Sequence, residues 1–329
     1  MIYLESPSTD PQFNLALEQF VFDEMDRSQE YFMLWQNDNA IIVGKNQNTI
    51  EEINQTYVEE HQIKVVRRLS GGGAVYHDLG NLNFTFIVNG EEASNMDLHA
   101  FCRPIARALN QLGVPAKVNG RNDITIEGRK FSGNSQYIRS KRIMHHGTMM
   151  FDSDLSVLAA CLNVSRDKIE SKGVKSVRSR VTNIREYLDK EITLEQYKEL
   201  LLRFMQEETP MERRAFTRQE LARAEEIKAA RYARWEWNYG YSPRYRLRKE
   251  RRIEGCGKIL VSMDVENGCI KALEFYGDYF GSGDTAELAA LLTGCEIEQE
   301  SLLTRMEGVD IERYFNHLEK EQFIKLLLQ

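Results

Sequence analysis

The spacing of apolar and polar residues predicts a chain of mixed helices and strands. Apolar residues recur at helical spacing over Pro11–Met25, where Asp10 is a candidate N-cap, and over Met96–Leu112, where Gly113 and Pro115 end the pattern. Further helices are predicted at Ile50–His61, Leu155–Leu162, Leu194–Gln206, Arg218–Ala233, Ala286–Leu292, Ile311–Leu318 and Glu321–Leu328.

Short apolar runs between these helices predict strands. They lie at Tyr31–Trp35, Ala40–Val43, Lys64–Leu69, Leu82–Val88, Ile124–Ile126, Lys130–Ser132, Arg142–Phe151, Lys258–Val265 and Cys269–Phe275. Polar connections at 36–39, 127–129 and 266–268 have the composition of hairpin turns, and glycine in the last two suits a position with positive φ.

The pattern also indicates two domains. Charged residues dominate from Glu207 to Arg252, interrupted by an aromatic turn at Trp235–Pro243, and Arg244–Arg252 is strongly basic. We expect the connection near residue 246, with a large domain over 1–246 and a small α+β domain over 247–329.

Composition excludes several classes of protein. The chain has 329 residues, 42% of them hydrophobic and 28% charged, which is enough to bury a core. A net charge of −7 disfavours nucleic-acid binding, and no uncharged apolar run approaches the ~18 residues that cross a bilayer. Five scattered cysteines form no metal or disulfide pattern, and Met1–Glu5 does not look like a signal peptide, so we expect a cytoplasmic protein.

The most informative segment runs from Arg67 to Asp78, with the sequence RRLSGGGAVYHD. Consecutive glycines allow a close approach to a ligand and present backbone N–H groups to an anion, and arginine matches phosphate oxygens. The pattern favours a phosphate-bearing ligand. A tight glycine-rich hairpin between surface arginines is the alternative.

A second polar cluster follows at Gly120–Asp123 and Gly128–Gln136. Lys130, at a strand edge before a turn of small residues, could bridge a carboxylate oxygen and a phosphate oxygen, or be an ordinary solvated lysine. Asp123 could hold Mg²⁺, or Asn122 and Asp123 could simply form an Asx turn.

Other polar residues carry weaker signals. His145 and His146 are adjacent on a strand, so their side chains point to opposite faces and cannot share a metal; we expect one inside and one exposed. Ser70 has no recognisable His–Asp partners, which disfavours a serine nucleophile. Cys102 is expected in the core, and the basic run Lys172–Arg180 is either a solvated face or a steering element for an acidic partner.

The segment from Arg67 closely resembles the RRxSGGGAV motif of lipoate–protein ligases. Matching segments cover nearly the whole chain, in family order: Trp35–Asn37, Gly44–Asn48, Gly80–Asn81, Gly120–Asp123, Lys130–Gly133, His145–Thr148, Val177–Asn183 and Trp235–Asn238. The C-terminal part resembles the accessory domain of the long ligases.

This resemblance implies an α+β fold: a large biotin-ligase-like (class II synthetase-like) mixed-sheet domain and a small accessory domain. It implies ATP- and Mg²⁺-dependent activation of lipoate to lipoyl-AMP, with octanoate a possible competitor. Transfer to a lysine of 2-oxoacid dehydrogenase E2 lipoyl domains or of the glycine cleavage H protein follows, in lipoate salvage.

The resemblance also implies roles for individual residues. Lys130 is expected to contact the lipoyl carbonyl oxygen and the α-phosphate. The other residues expected at ATP are Arg67, Gly72, Gly73, Ala74, Val75, Asn122 and Asp123, the last also as a candidate Mg²⁺ ligand. Those expected at the acyl substrate are Ser70, Gly71, Tyr76, His77, Ser132, Gly133 and His146.

One departure and three alternatives stand beside this assignment. Asn134-Ser135 occupies a position where many relatives carry Ser-Ala or Asn-Ala, so this chain has an extra hydroxyl there. A sister family transfers octanoyl groups through an acyl-cysteine, but the corresponding position here is Pro115. Biotin ligases have a Gly-Arg-Gly-Arg loop instead of a glycine triplet, and a protein that only binds lipoyl-AMP is the non-enzymatic alternative.

Overall fold

The computed structural model describes residues 1–90, 98–119, 122–163, 180–241, 245–254, 256–277, 279 and 281–328. The chain forms two compact units. The large unit comprises Met1–Gln47 and His61–Arg234, and the small unit comprises Asn48–Glu60 and Trp235–Gln329. The domain boundary near residue 246 stays a prediction, and the chain contacts group the residues after Arg234 with the small unit.

Fourteen strands are present in the described chain. They are β1 (Ile2–Glu5), β2 (Tyr31–Trp35), β3 (Ala40–Val43), β4 (Lys64–Arg67), β5 (Val75–His77), β6 (Asn81–Asn89), β7 (Ala116–Asn119), β8 (Asp123–Ile126), β9 (Arg129–Arg139), β10 (Arg142–Met150), β11 (Glu212–Arg213), β12 (Tyr245–Ile253), β13 (Gly257–Glu266) and β14 (Cys269–Gly277).

The α-helices of the described chain are α1 (Pro11–Asp23), α2 (Thr49–Glu52), α3 (Gln55–Glu60), α4 (Leu98–Gln111), α5 (Leu155–Cys161), α6 (Leu194–Glu208), α7 (Arg218–Ile227), α8 (Thr285–Leu292), α9 (Gln299–Arg305) and α10 (Lys320–Leu328). A 3₁₀ turn occupies Ile184–Tyr187, and π-helical turns occupy Lys228–Tyr232 and Glu236–Gly240. None of the helices in the described ranges is long and apolar enough to cross a membrane.

The large unit is built on an eight-stranded mixed sheet in the order β11-β1-β2-β6-β10-β9-β8-β7. Strand β1 runs parallel to β11 and β2, and the other neighbours are antiparallel. A second sheet, β4-β3-β5, lies in the same unit. The expected large mixed-sheet domain is thus confirmed.

The register of the large sheet groups polar side chains on one face. Trp35, Asn83 and Thr148 are opposite one another across β2, β6 and β10. In the neighbouring row, Thr85 on β6 is opposite His146 on β10, which is opposite Ser135 on β9. Directly opposed residues share a face, and residues two apart on a strand also share a face. Both rows therefore face the same side of the sheet.

The opposite face of this sheet is apolar and carries the core. Phe32, Leu34, Phe84 and Phe86 pack there against helix α4, whose Cys102 is fully buried as expected. Helix α1 begins as predicted, since the Asp10 side chain accepts a hydrogen bond from the Gln12 N–H at 3.3 Å.

The small unit is an α+β domain around the antiparallel sheet β12-β13-β14. Its β13–β14 hairpin turns at Asn267 and Gly268, both with positive φ, as the glycine signal predicted. Its apolar core includes Ile50 of α2 together with Phe275, Phe315 and Phe323.

Two predicted turns are wrong. Residues 36–39 do not form a hairpin: β2 belongs to the large sheet, whereas β3 pairs with β4 and β5. Lys130 does not precede a turn, because β9 continues through residue 139. At 36–39, pairing with strands elsewhere in the chain overrides the local signal. Strand β9 continues past Lys130 because it pairs with its sequence neighbours β8 and β10.

Three other predicted segments also differ. Ile50–His61 forms two short helices, because Ile53 takes an extended conformation between α2 and α3. Ile311–Leu318 is a series of turns instead of a helix. Of the basic segment expected as the connection, residues 245–252 belong to β12 of the small sheet.

Candidate active site

Most of the predicted site residues line one cavity of about 690 Å³ in the large unit. It lies between the polar face of the large sheet and the glycine loop, which we define as residues 68–74 connecting β4 to β5. The predicted residues that line it are Gly71, Gly72, Gly73, Ala74, Val75, His77, Asn122, Asp123, Lys130, Gly133 and His146. Arg67, Ser70, Tyr76 and Ser132 are buried beside it without lining it.

Arg68 lines the cavity and also holds the glycine loop by its carbonyl oxygens. Its Nη2 donates to the carbonyl oxygens of Gly71 at 2.6 Å and Gly73 at 2.9 Å, and its Nη1 donates to that of Ile42 at 3.0 Å. Burial lowers the pKa of Arg68 to about 10, so the guanidinium is still charged at neutral pH.

The carbonyl of Gly72 is also directed at protein atoms. A Cβ at Gly44 would lie 2.0 Å from it, so only glycine at position 44 allows this approach. In a trans peptide the N–H points opposite to the C=O. The N–H groups of Gly72, Gly73 and Ala74 therefore point away from Arg68 and Gly44, an arrangement that suits an anion.

Arg67 has different surroundings from those the motif predicted. Its Nη1 donates to the carbonyl oxygens of Gly44 at 3.0 Å, Lys45 at 3.0 Å and Gln47 at 2.7 Å. The side chain is fully buried and holds the turn after β3. Direct contact between Arg67 and a phosphate stays a prediction.

Lys130 places its ammonium at the cavity, 2.7 Å from Asp123 Oδ1. Its main chain is fixed by residues 180–182: its N–H donates to Arg180 O at 2.8 Å, and Thr182 N–H donates to its C=O at 3.0 Å. Of the basic run, only Arg180 lies within the described residues. Gly133 makes room for the lysine, because a Cβ there would be 2.8 Å from Nζ.

Asn122 and Asp123 have separate roles. Asn122 Nδ2 donates to the Asn134 carbonyl at 2.6 Å, and its own carbonyl accepts the Asn134 N–H at 3.0 Å. Asp123 begins β8 and is the one carboxylate among the described residues lining the cavity. No group of three or more potential metal ligands is found in the described ranges.

Ser70 has the partners that the sequence did not reveal. His146 Nε2 is 2.6 Å from Ser70 Oγ, and His146 Nδ1 is 2.9 Å from Glu18 Oε1. An ionised Glu18 can only accept, which places a proton on Nδ1, and in the neutral imidazole Nε2 then accepts from the Ser70 hydroxyl. Thr85 donates to Glu18 at 2.7 Å, and Trp35 Nε1 donates to Thr85 Oγ1 at 2.9 Å.

This connectivity is that of a Ser–His–acid triad, but the hydroxyl does not face the cavity. Ser70 is 1% exposed, and its oxygen accepts a hydrogen bond from Arg68 Nε at 3.0 Å. The expectation that Ser70 lacks such partners is wrong, while its burial still speaks against a nucleophile.

The two adjacent histidines point to opposite faces, as predicted, but both are buried. His145 stacks on Phe101 with ring centroids 4.7 Å apart, and its Nε2 is 3.2 Å from Asn134 Oδ1. Burial lowers the pKa of His145 to about 3, so its ring is neutral. The expected exposed histidine is absent from this pair because both faces of β10 are covered.

Two buried donors at the cavity have no partner in the described chain: His77 Nε2 and Asn83 Nδ2. His77 accepts from Asn37 Nδ2 at its Nδ1, 3.1 Å away, which leaves the proton on Nε2. Burial and the nearby Arg68 lower the pKa of His77 to about 3. Such donors are normally satisfied by water or a ligand.

Sequence reasoning missed several cavity residues, among them Trp35, Asn83, Ser135 and Thr148. Cross-strand register brings them together, and one sequence does not contain that information. Glu18 had a detectable signal, because Asn14 and Glu18 are polar residues one helical turn apart among apolar neighbours on α1, and the structure buries both.

Two family models match this chain. The lipoyl protein ligase A/B catalytic domain matches residues 10–206, and the bacterial lipoate protein ligase C-terminus matches residues 242–327. Lipoate-protein ligase LplJ of Bacillus subtilis is 44% identical over 99% of this chain and 100% of its own length. Lipoate–protein ligase 1 of Staphylococcus aureus is 41% identical over 97% of each chain.

Solved structures give the same result. A bipartite lipoate protein ligase from the archaeon Thermoplasma acidophilum, studied with its E2 lipoyl domain, superposes with a TM-score of 0.63 at 28% identity, covering 73% of this chain and 96% of that one. A T. acidophilum ligase with bound lipoic acid and a lipoate-protein ligase A bound with ATP each have a TM-score of 0.61 at 26% identity, covering 73% of this chain and 98% of theirs.

These matches cover both units and nearly the whole length of the relatives. The chain therefore belongs to the lipoate–protein ligase family and is an enzyme of that family.

Proposed function

We propose that this ligase activates lipoate with ATP to form lipoyl-AMP and then transfers the lipoyl group to a lysine of an acceptor protein. The observation that carries the proposal is the position of Lys130 in the same cavity as the glycine loop, whose N–H groups are turned away from Arg68. Relatives solved with lipoic acid and with ATP support the same pair of substrates.

In the first step a lipoate carboxylate oxygen attacks the α-phosphorus of ATP. A new P–O bond forms, the bond to the β-phosphate breaks, and pyrophosphate leaves. In this proposal Lys130 neutralises charge on the carboxylate and α-phosphate oxygens, and the N–H groups of residues 72–75 bind phosphate oxygens. Arg67 supports this site through the turn at 44–47.

The acyl chain has a path along the polar face of the sheet. From Gly133 beside Lys130, the row continues through Thr148 on β10 and Asn83 on β6 to Trp35 on β2. With strands about 4.8 Å apart, this row spans about 14 Å, enough for an extended medium-length acyl chain. Lipoate and octanoate are both acceptable by length.

Mg²⁺ fits one end of this cavity. Asp123 supplies a carboxylate next to the expected phosphates, with Asn122 adjacent, and Mg²⁺ is commonly held by one or two carboxylates and phosphate oxygens. When bound, the ion would neutralise the charge of the leaving pyrophosphate. Asp123 also pairs with Lys130, so it orients the lysine in either case.

In the second step the neutral amine of an acceptor lysine attacks the lipoyl carbonyl carbon. The amide C–N bond forms, the C–O bond to AMP breaks, and the amine loses a proton. We propose E2 lipoyl domains and the glycine cleavage H protein as acceptors, and lipoate salvage in the cytoplasm as the setting. A relative studied with its E2 lipoyl domain supports the first of these.

An acyl-cysteine transferase is the second candidate function, and it is disfavoured by the cavity. None of the described residues lining it is a cysteine. Cys102, the nearest cysteine upstream of Lys130, is fully buried in the core on the apolar side of the sheet.

The test incubates the full-length protein with ATP, Mg²⁺, lipoate and an apo lipoyl domain. We expect an ATP-dependent lipoyl adduct on one lysine, detected by mass spectrometry. An octanoyl adduct formed without ATP from the octanoyl thioester of a carrier protein would indicate a transferase. Binding of added lipoyl-AMP, with neither pyrophosphate release nor an adduct, would indicate a binding protein.

Lys130→Ala should abolish lipoate-dependent pyrophosphate release, because the ammonium that neutralises the reacting oxygens is gone. Lys117→Ala is the matched control, since it removes an exposed lysine of β7 in the same sheet. Near-normal pyrophosphate release by Lys130→Ala, with the same thermal midpoint as the control, would contradict the assignment.

A further inference from the structure

The glycine loop is tied to the large sheet by two side chains that stand in register. Ser135 Oγ donates to the Gly71 carbonyl at 2.8 Å, and His146 Nε2 is hydrogen-bonded to Ser70 Oγ at 2.6 Å. Ser135 and His146 are directly opposite each other on β9 and β10. One row of the sheet therefore holds two consecutive residues of the loop.

Ser135 is on the same strand as Lys130. The hydrogen bond to Gly71 thus connects the loop with the strand that carries the ammonium, whereas His146 connects the loop with β10 and, through Glu18, with α1. Ser135 is the direct link between the two halves of the proposed nucleotide site.

This link determines the direction of an amide N–H. The Gly71 carbonyl and the Gly72 N–H belong to one peptide plane, so holding the oxygen fixes the N–H on the opposite side. Gly72 has φ +93°, a conformation open to glycine, and glycine residues rotate more freely than others. Without the Ser135 hydroxyl, the Gly71 carbonyl oxygen would still accept the hydrogen bond from Arg68 Nη2.

We propose that Ser135 is a positioning residue of this enzyme, which holds the Gly71–Gly72 peptide so that its N–H is aimed at a phosphate of ATP. This inference rests on the proposed function. Ser135 does not react with substrate: its hydroxyl acts through the loop.

The test compares Ser135→Ala with Ser135→Thr, which keeps the hydroxyl on a side chain that strands accommodate well. The primary measurement is the Kd for ATP by calorimetry, with no acceptor present. We expect Ser135→Ala to raise Kd about fivefold, the effect of one neutral hydrogen bond, and Ser135→Thr to restore it.

The kinetic readout separates positioning from general loss of structure. In pyrophosphate release, Ser135→Ala should raise KM for ATP, with KM for lipoate and the urea midpoint unchanged. The inference is overturned if wild type and Ser135→Ala bind ATP equally, or if the alanine and threonine variants are equally impaired.

The outcomes also distinguish this inference from the proposed function. A wild-type protein that binds no ATP would contradict both. A wild-type protein that binds ATP and lipoylates its acceptor, together with an unaffected Ser135→Ala variant, would contradict the role of Ser135 alone.

Discussion

At the scale of single residues, the space around Lys130 is as specific as its charge. A methyl group on Gly133 would lie 2.8 Å from Lys130 Nζ and 2.9 Å from Cε. These atoms are the far end of a flexible side chain, so they can move without disturbing the backbone. Position 133 therefore controls where the ammonium lies more than whether the chain folds.

Gly133→Ala should impair adenylation while leaving stability close to wild type. Displacing the amine by about 1 Å is expected to cost about 100-fold in kcat/KM. Pyrophosphate release and the thermal midpoint measure the two effects. A fully active Gly133→Ala enzyme would show that the lysine position is not critical.

His145 gives the large unit a pH dependence. Its pKa is about 3 in the folded chain because of burial, whereas an exposed histidine titrates near 6.5. The unfolded chain therefore binds an extra proton as pH falls below about 6.5, and stability is lost progressively towards about pH 3.

Replacing His145 with glutamine should reduce the loss of stability as pH falls. The free energy of unfolding should vary with pH less steeply by about 1.4 kcal/mol per pH unit between pH 4 and 6. Urea unfolding at several pH values measures the slope. An unchanged slope would mean that His145 is protonated in the folded state.

At the scale of elements, the glycine loop depends on its neighbours. Gly44 follows β3, and a Cβ there would lie 2.0 Å from the Gly72 carbonyl oxygen, a backbone atom that cannot move alone. At Gly71 a Cβ would meet nothing within 4 Å. The glycines near the loop therefore differ in what they contribute.

Gly44→Ala should lower the thermal midpoint and weaken ATP binding, because the loop must shift to admit the methyl group. Gly71→Ala, as the comparison, should keep the wild-type midpoint. Thermal unfolding and calorimetry test both variants, and equal midpoints for the two would contradict the close approach of Gly44 to the loop.

Turns whose conformation depends on their own residues could be predicted from the sequence. The turns at 127–128 and 267–268 were predicted because glycine tolerates the positive φ found at both. The link at 36–39 had similar composition, yet β2 and β3 pair elsewhere, since strand partners are chosen by the whole unit. The Ser70–His146–Glu18 contacts join residues far apart in the chain, which no local pattern records.

At the scale of the whole molecule, the two units respond to pH in different ranges. Lys249 on β12 is half-buried in the small unit, and its Nζ donates to the Leu327 carbonyl at 2.6 Å. Burial lowers its pKa to about 7. Between about pH 7 and 10.5 the unfolded chain holds a proton that the folded chain lacks, so the small unit gains stability as pH rises.

Lys249→Met should remove this gain. It keeps an unbranched apolar side chain, and the rise in unfolding free energy from pH 7.5 to 9.5 should shrink by about 1.4 kcal/mol per pH unit. Urea unfolding followed by tryptophan fluorescence, with Trp235 in the small unit, provides the measurement. A rise as steep as in wild type would exclude Lys249 as its source.

Residues 48–60 belong to the small unit although the residues on either side belong to the large unit, which matters for producing the large unit alone. The backbone leaves the large unit after Gln47, contributes Ile50 to the small unit's core, and returns at His61. A protein truncated after Arg234 would thus retain helices α2 and α3 without the rest of the small unit. The apolar side chains that pack into the small unit's core, such as Ile50, would be exposed. To produce the large unit alone, residues 48–60 should be replaced with a short polar linker.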